Sequence, residues 1–103
     1  MTVEEARARL EEFRVFIDEL DRQIVGLLNE RTRVVEDIGR VKRHASLPIY
    51  EPRREEQVFA NIADSNDGPL TPDGLKRIFE RIIDEMRTIQ RVRMQEASRD
   101  GEQ

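Results

Sequence analysis

One uninterrupted apolar seam dominates the N-terminal half of the sequence. No proline precedes Pro48, and apolar residues before it recur at alternating steps of three and four, the spacing of one helix face. A helix of about 42 residues would be about 60 Å long, far longer than helices in small domains. The remaining chain can cover only part of this helix. We therefore predict that a second molecule covers the rest of the seam. The seam residues are Leu10, Phe13, Ile17, Leu20, Ile24, Leu27, Val34, Ile38 and Val41.

Capping and turn residues divide the rest of the chain. Thr2 begins a capping pattern at the start of the long helix, and the segment 44–48 ends that helix. Pro52 opens a second helix, because proline is favoured at a first helical position. A turn cluster at 64–69 precedes Thr71, which with the following proline opens a third helix. No segment has the pattern of a strand, so we predict an all-α fold of three helices.

The size of the chain also favours oligomerisation. The chain has 103 residues, of which 39% are charged and 5% aromatic. A domain of this length buries only about 60 to 65% of the surface of its unfolded chain, so pooling cores between subunits would stabilise it. We expect one domain over residues 1–98, a disordered polar tail at 99–103, and an antiparallel, intertwined homodimer as the simplest closure of the seam.

Several classes of partner are disfavoured by the composition. The formal net charge is −4 and basic residues form only short clusters, which argues against nucleic acid. Cysteine is absent, which excludes disulfides and thiolate metal sites. No run approaches the roughly 20 apolar residues of a membrane span, and the N-terminus is amphipathic rather than a signal segment. We therefore expect a soluble cytoplasmic protein.

Three cations share a second stripe of the long helix with apolar residues. Arg14, Arg31 and Lys42 fall in register with residues such as Ile24 and Val35. Buried cations need anionic partners or a route to water, so these side chains either extend along the helix edge or surround a polar pocket. Inward positions are also predicted for a carboxylate and an amide in the shorter helices, which favours a pocket for a small dianion. Those two residues are Glu55 and Gln90.

The spacing of these cations has a consequence for assembly. Arg31 and Lys42 lie about 16 Å apart along the predicted helix, within reach of one small ligand. Arg14 lies about 42 Å from Lys42 on the same helix, so it cannot join that pocket within one subunit. In an antiparallel dimer, Arg14 of the partner can do so, which predicts two equivalent composite sites.

At these residues the chain resembles the all-helical class of chorismate mutases, from about Glu5 to Gln95. The spacing of the matching elements fits without gaps through Glu55. Each element alone is weak, but the set is specific. The elements are Phe13-Arg14, Leu27-Leu28-Asn29-Glu30-Arg31, Ile38-Gly39-Arg40-Val41-Lys42, Arg53-Arg54-Glu55 and Ile89-Gln90.

The resemblance implies an enzyme that rearranges chorismate to prephenate in aromatic amino-acid biosynthesis, without a metal or cofactor. It implies that Arg14 of the neighbouring subunit and Arg31 bind the two substrate carboxylates, a task that suits the guanidinium fork. Lys42 would contact a carboxylate and the ether oxygen, to which Gln90 would donate a second hydrogen bond. Glu55 would accept a hydrogen bond from the ring hydroxyl.

The resemblance also implies three further substrate-binding positions. Glu51 would lie near the ring hydroxyl, where many relatives have Asp, and Arg54 would support the site. Met86 stands where some relatives have a Ser directed toward a carboxylate, so one possible hydrogen bond is lost. The predicted catalytic residues are Lys42, Gln90, Arg31 and Glu55.

Three alternatives stay open at this point. An isochorismate pyruvate lyase would share the fold and the cationic site, although Glu55 as an acceptor for the ring hydroxyl favours the mutase. A purely interacting helical module would leave the buried Arg31 and the inward Glu55 and Gln90 costly and without purpose. A non-catalytic ligand-sensing module would use the same charges to bind its ligand. Similar domains are fused to or associated with heptulosonate-phosphate synthases, and the segments 50–52 and 67–69 resemble that subgroup, so a synthase partner is also predicted.

Overall fold

The computed structural model describes residues 1–101 and contains three α-helices. Helix α1 is Val3–Ala45, α2 is Pro52–Ser65 and α3 is Pro72–Gly101. No strand occurs within residues 1–101. The prediction of an all-α chain with one very long N-terminal helix and two shorter ones is therefore confirmed.

Helix α3 extends further than the sequence indicated. It continues through Gly101, so helix covers the first part of the segment 99–103 for which we expected a disordered tail. Gln, Glu, Ala and Arg form most of its last turns, and these residues all favour helix, so a polar composition alone does not end it. Residues 102 and 103 lie outside the described residues.

The predicted N-terminal caps of α1 and α3 form as expected. The backbone N–H of Glu5 donates to Oγ1 of Thr2 at 3.1 Å, and the N–H of Gly74 donates to Oγ1 of Thr71 at 3.0 Å. Leu75 N–H also donates to the carbonyl of Thr71. Each hydroxyl therefore satisfies one of the backbone donors that a helix start leaves unpaired.

The C-terminus of α1 ends in a left-handed turn. Ser46 adopts a φ of 57°, and the N–H of Leu47 donates to the carbonyl of Lys42 at 2.8 Å. This six-to-one hydrogen bond is the Schellman arrangement that closes many helices. The chain reverses at once, which brings the segment after Leu47 back to the last turn of α1.

The chain divides into two compact units, residues 1–33 and the residues from Val34 onward. The first unit is the N-terminal part of α1, and its apolar seam is exposed, with Leu27 at 65% and Phe13 at 60%. In the second unit, α2 packs on α3, and Val35, Ile83 and Met86 are buried. Among the described residues, no helix combines the length and apolarity needed to cross a membrane.

The cap of α3 allows a direct test of the fold. Thr71→Ala should lower the free energy of unfolding by about 1 kcal/mol, because the N–H of Gly74 loses its acceptor. Urea midpoints at one fixed protein concentration measure the change. Thr88→Ala is the matched control, since the exposed Thr88 hydroxyl bonds the carbonyl of Asp84 within the helix. Equal midpoints for the two variants would contradict the capping role.

Candidate active site

Lys42 is the buried cation at the centre of the candidate site. It lies in the last turns of α1 with only 7% of its surface exposed. Its Nζ donates to the carbonyl of Ile49 at 3.0 Å and lies 3.0 Å from Oε1 of Glu51. The turn at Ser46 makes both contacts possible, because it returns the chain to the side of α1. An ammonium has three protons, so two such partners leave capacity for one further acceptor.

Glu51 supplies the carboxylate beside Lys42 instead of capping its own helix. It occupies the N-cap position of α2, with Pro52 following at the first helical position and no side-chain capping bond. The N–H of Glu55 still donates to the Glu51 carbonyl at 3.0 Å. The Glu51 side chain is 45% exposed, so the ion pair lies at the boundary between the interior and solvent.

Glu55 lies one helical turn after Glu51 and faces α3. Its Oε2 is 3.5 Å from Nε of Arg87, and the guanidinium carbon of Arg87 lies 5.5 Å from the centre of the Tyr50 ring. Glu55 and Arg87 line a groove of about 660 Å³ between α2 and α3, together with Phe59 and Ile83. The site therefore contains a second ionic contact, between Glu55 and Arg87, in addition to that between Lys42 and Glu51.

Gln90 and Met86 are buried on the inner face of α3. Nε2 of Gln90 donates to the carbonyl of Val35 at 3.4 Å, and a Cβ placed on Gly39 would lie 3.6 Å from Cγ of Gln90. Gly39 and Lys42 are one turn apart on α1 and so share a face. Gln90 therefore lies against the same face of α1 that carries Lys42.

The remaining predicted arginines are placed differently. Arg14 and Arg31 belong to the unit of residues 1–33, in which Arg14 is exposed and pairs with Glu11 one turn earlier, and Arg31 is half-buried. Arg54 is exposed on α2 and bonds Gln57 at 3.4 Å. Five of the predicted residues take part in the contacts and the buried core of the second unit, while Arg54 is exposed. Those five are Lys42, Glu51, Glu55, Met86 and Gln90.

Sequence reasoning missed Arg87. The inner face of α3 was identified from its apolar residues, and Arg87 lies between the buried Met86 and Gln90 on that face. Arg87 lies three residues before Gln90, in register with the apolar residues of α3. The same kind of register identified the cations of α1. A charged residue in register with an apolar stripe was therefore present in α3 as well.

The comparisons with known proteins agree on one family. Residues 13–91 match the family described as chorismate mutase type II. A bifunctional chorismate mutase/prephenate dehydratase of Aquifex aeolicus is 38% identical over 78 residues, which are 72% of this chain and 22% of that protein. The chain spans about a fifth of the length of the curated bifunctional relatives that it matches.

Two solved structures have the same fold. A chorismate mutase from Thermus thermophilus superposes with a TM-score of 0.79 at 32% identity, covering 81% of this chain and 94% of that one. A chorismate mutase from Helicobacter pylori, in complex with prephenate, gives 0.80 at 26% identity, covering 86% and 97%. The family match, the sequence identities and the shared helical architecture lead to one conclusion: this chain belongs to the chorismate mutase type II family.

Proposed function

We propose that this chain catalyses the rearrangement of chorismate to prephenate. The observation that carries the proposal is the buried Nζ of Lys42, held between Ile49 and Glu51 on the face of α1 against which Gln90 packs. A buried ammonium with a buried amide donor beside it suits an anionic ligand. Family membership and the prephenate bound to the Helicobacter pylori relative support the same reaction.

The chemistry explains why these residue types suffice. The rearrangement is intramolecular and requires no nucleophile from the protein, but its transition state needs a folded conformer of the substrate. It also places negative charge on the ether oxygen as the carbon–oxygen bond breaks. Lys42 and Gln90 would stabilise that charge through donors that are already oriented, and carboxylate clamping would select the reactive conformer.

The remaining site residues take roles in this proposal that follow from their chemistry. Arg31 of one chain and Arg14 of the partner would bind the two carboxylates by paired hydrogen bonds. Glu55 would accept from the ring hydroxyl, with Glu51 nearby. Arg54, which is exposed and bonded only loosely to Gln57, would turn toward the ligand upon binding. Met86 would contribute apolar contact with the ligand.

A homodimer is part of the proposal because the apolar seam of α1 needs a partner. Its residues from Leu10 to Val41 are between 43% and 65% exposed in the single chain. Each fully buried side chain of this kind contributes roughly 1.5 to 3 kcal/mol, so a second copy aligned antiparallel along α1 would gain substantially. The same arrangement would bring the partner's α1 to the site with its Arg14.

The proposal is tested by supplying chorismate to the purified chain in the presence of EDTA. We expect loss of the chorismate absorbance with prephenate as the product, and no dependence on added metal or cofactor, because the chemistry needs only oriented donors. Product identification by NMR separates this reaction from other losses of chorismate. A folded dimer that leaves chorismate unchanged would contradict the proposal.

The lyase alternative can be decided in the same experiment. With isochorismate as substrate, a lyase would release pyruvate, whereas a mutase with Glu55 available for the ring hydroxyl would be selective for chorismate. Stoichiometric pyruvate from isochorismate, without prephenate from chorismate, would assign the chain to the lyase. Tight binding of chorismate without turnover of either compound would instead indicate a ligand-sensing module.

A heptulosonate-phosphate synthase partner and a cytoplasmic location stay predictions from the sequence. The curated relatives described above join this family to a prephenate dehydratase, so they offer no support for a synthase. Cosedimentation of the chain with a synthase from the same organism measures the association. A single boundary containing both proteins is the result expected for a synthase partner.

A further inference from the structure

Arg87 is a charged residue of the site to which the proposed function assigns no role. Its side chain is one-third exposed, but its Nε is buried and has no hydrogen-bond partner within residues 1–101. A buried guanidinium proton without an acceptor is unfavourable. A specific acceptor at Nε would therefore stabilise this side chain. An acceptor, Oε2 of Glu55, lies 3.5 Å from Nε.

The groups around Arg87 restrict the guanidinium on three sides. The guanidinium carbon lies over the Tyr50 ring, 5.5 Å from its centre, Glu55 faces Nε, and Oδ1 of Asp84 lies 3.9 Å from Nη2. A guanidinium over an aromatic ring is attracted to it, so Tyr50 favours the position of Arg87 beside Glu55. A shift of about half an ångström would convert the Glu55 contact into a normal hydrogen bond.

We propose that Arg87 is a positioning residue that holds one carboxylate oxygen of Glu55 and thereby directs the other oxygen to the ring hydroxyl of the substrate. This proposal rests on the proposed function, in which Glu55 is the hydroxyl acceptor. Contacts of this kind are often long without ligand and shorten in the complex. Arg87 acts through Glu55 and does not itself contact the substrate.

Kinetic coupling tests the proposal. Arg87→Met should lower kcat/KM for chorismate roughly tenfold, mainly through KM, and Arg87→Lys should recover part of the loss. In a Glu55→Gln background, the same Arg87→Met change should have little further effect, because the carboxylate it positions is gone; coupled neighbours show such non-additivity. A loss in the double variant equal to the product of the two single losses would overturn the proposal.

Two further variants keep the test independent of folding. Arg91→Met is the matched control, since Arg91 is exposed one turn later on α3 and bonds the exposed Thr88; its kcat/KM should equal that of the wild type. Tyr50 is 57% exposed, so Tyr50→Leu should fold normally and raise KM by a smaller factor. An unchanged KM in both Arg87→Met and Tyr50→Leu would overturn the positioning role.

The outcomes separate this inference from the proposed function. If the wild-type chain does not convert chorismate, the proposed function fails. If the wild type is active and Lys42→Met is not, while Arg87→Met behaves as the wild type, only the role of Arg87 fails. Circular dichroism and sedimentation of each variant confirm that the compared proteins have the same fold and assembly.

Discussion

Replacing Lys42 by Met is expected to lower kcat/KM for chorismate by about 1,000-fold or more. Removal of a single oriented donor to a developing oxyanion costs about 100- to 1,000-fold, and Lys42 is also proposed to bind a substrate carboxylate. Because that donor acts most strongly in the transition state, kcat should fall as well as kcat/KM. Initial rates of chorismate loss over a range of substrate concentrations measure both parameters.

Stability should change little in the same variant, which separates chemistry from folding. Removing one partner of an ion pair is strongly destabilising when the other charge stays buried, but Glu51 is half-exposed and can be hydrated. Met also has a length similar to that of Lys and fills the same space. Arg40→Met is the matched control on α1, because Arg40 is exposed and pairs with Asp37. Wild-type turnover by the Lys42 variant would show that the proposed site is wrong.

The helix boundaries could be predicted because local residues determine them. Thr2 and Thr71 bond backbone N–H groups within their own first turns, and Pro52 occupies a position that its fixed φ favours. These interactions involve residues at most three apart in sequence. The local sequence pattern is therefore sufficient to place these helix boundaries.

The apolar pattern omitted one buried residue near the C-terminal end of α1. The stripe passes from Val35 to Lys42, and the apolar pattern selected Ile38 between them. In the structure Ile38 is 43% exposed and the neighbouring Gly39 is buried. Gly39 faces Gln90, and a Cβ placed on it would make an ordinary van der Waals contact of 3.6 Å with Cγ of Gln90. Glycine carries no apolar signal, so a hydrophobic pattern cannot select it.

The contacts that join the site could not be predicted from local pattern. Glu51 was identified through the family resemblance, but its pairing with Lys42 depends on the reversal of the chain after Ser46. The contact between Glu55 and Arg87 joins two helices that are distant in sequence. Each of these interactions depends on how α2 and α3 pack, which the period of a single helix does not determine.

Mixing two inactive variants is expected to restore activity. Arg14→Met removes a carboxylate contact proposed to come from the partner, and Lys42→Met removes one from the chain's own site. In a mixed dimer, one site then carries both defects and the other carries neither. After an equal mixture is unfolded and refolded together, about half of the dimers are mixed, so about a quarter of the wild-type activity should return. Chorismate turnover before and after refolding measures the effect.

A second mixture identifies which chain supplies each arginine. Arg31 and Lys42 are proposed to serve the same site from the same chain, so an Arg31→Met and Lys42→Met mixture leaves one defect in every site and should stay inactive. Differently tagged chains confirm that mixed dimers form in both experiments. If activity returns in the Arg31 mixture and not in the Arg14 mixture, Arg31 comes from the partner and Arg14 belongs to the same site as Lys42. Recovery in neither, with mixed dimers present, would contradict a site shared between subunits, because only a contribution from the partner allows two defective chains to form one intact site.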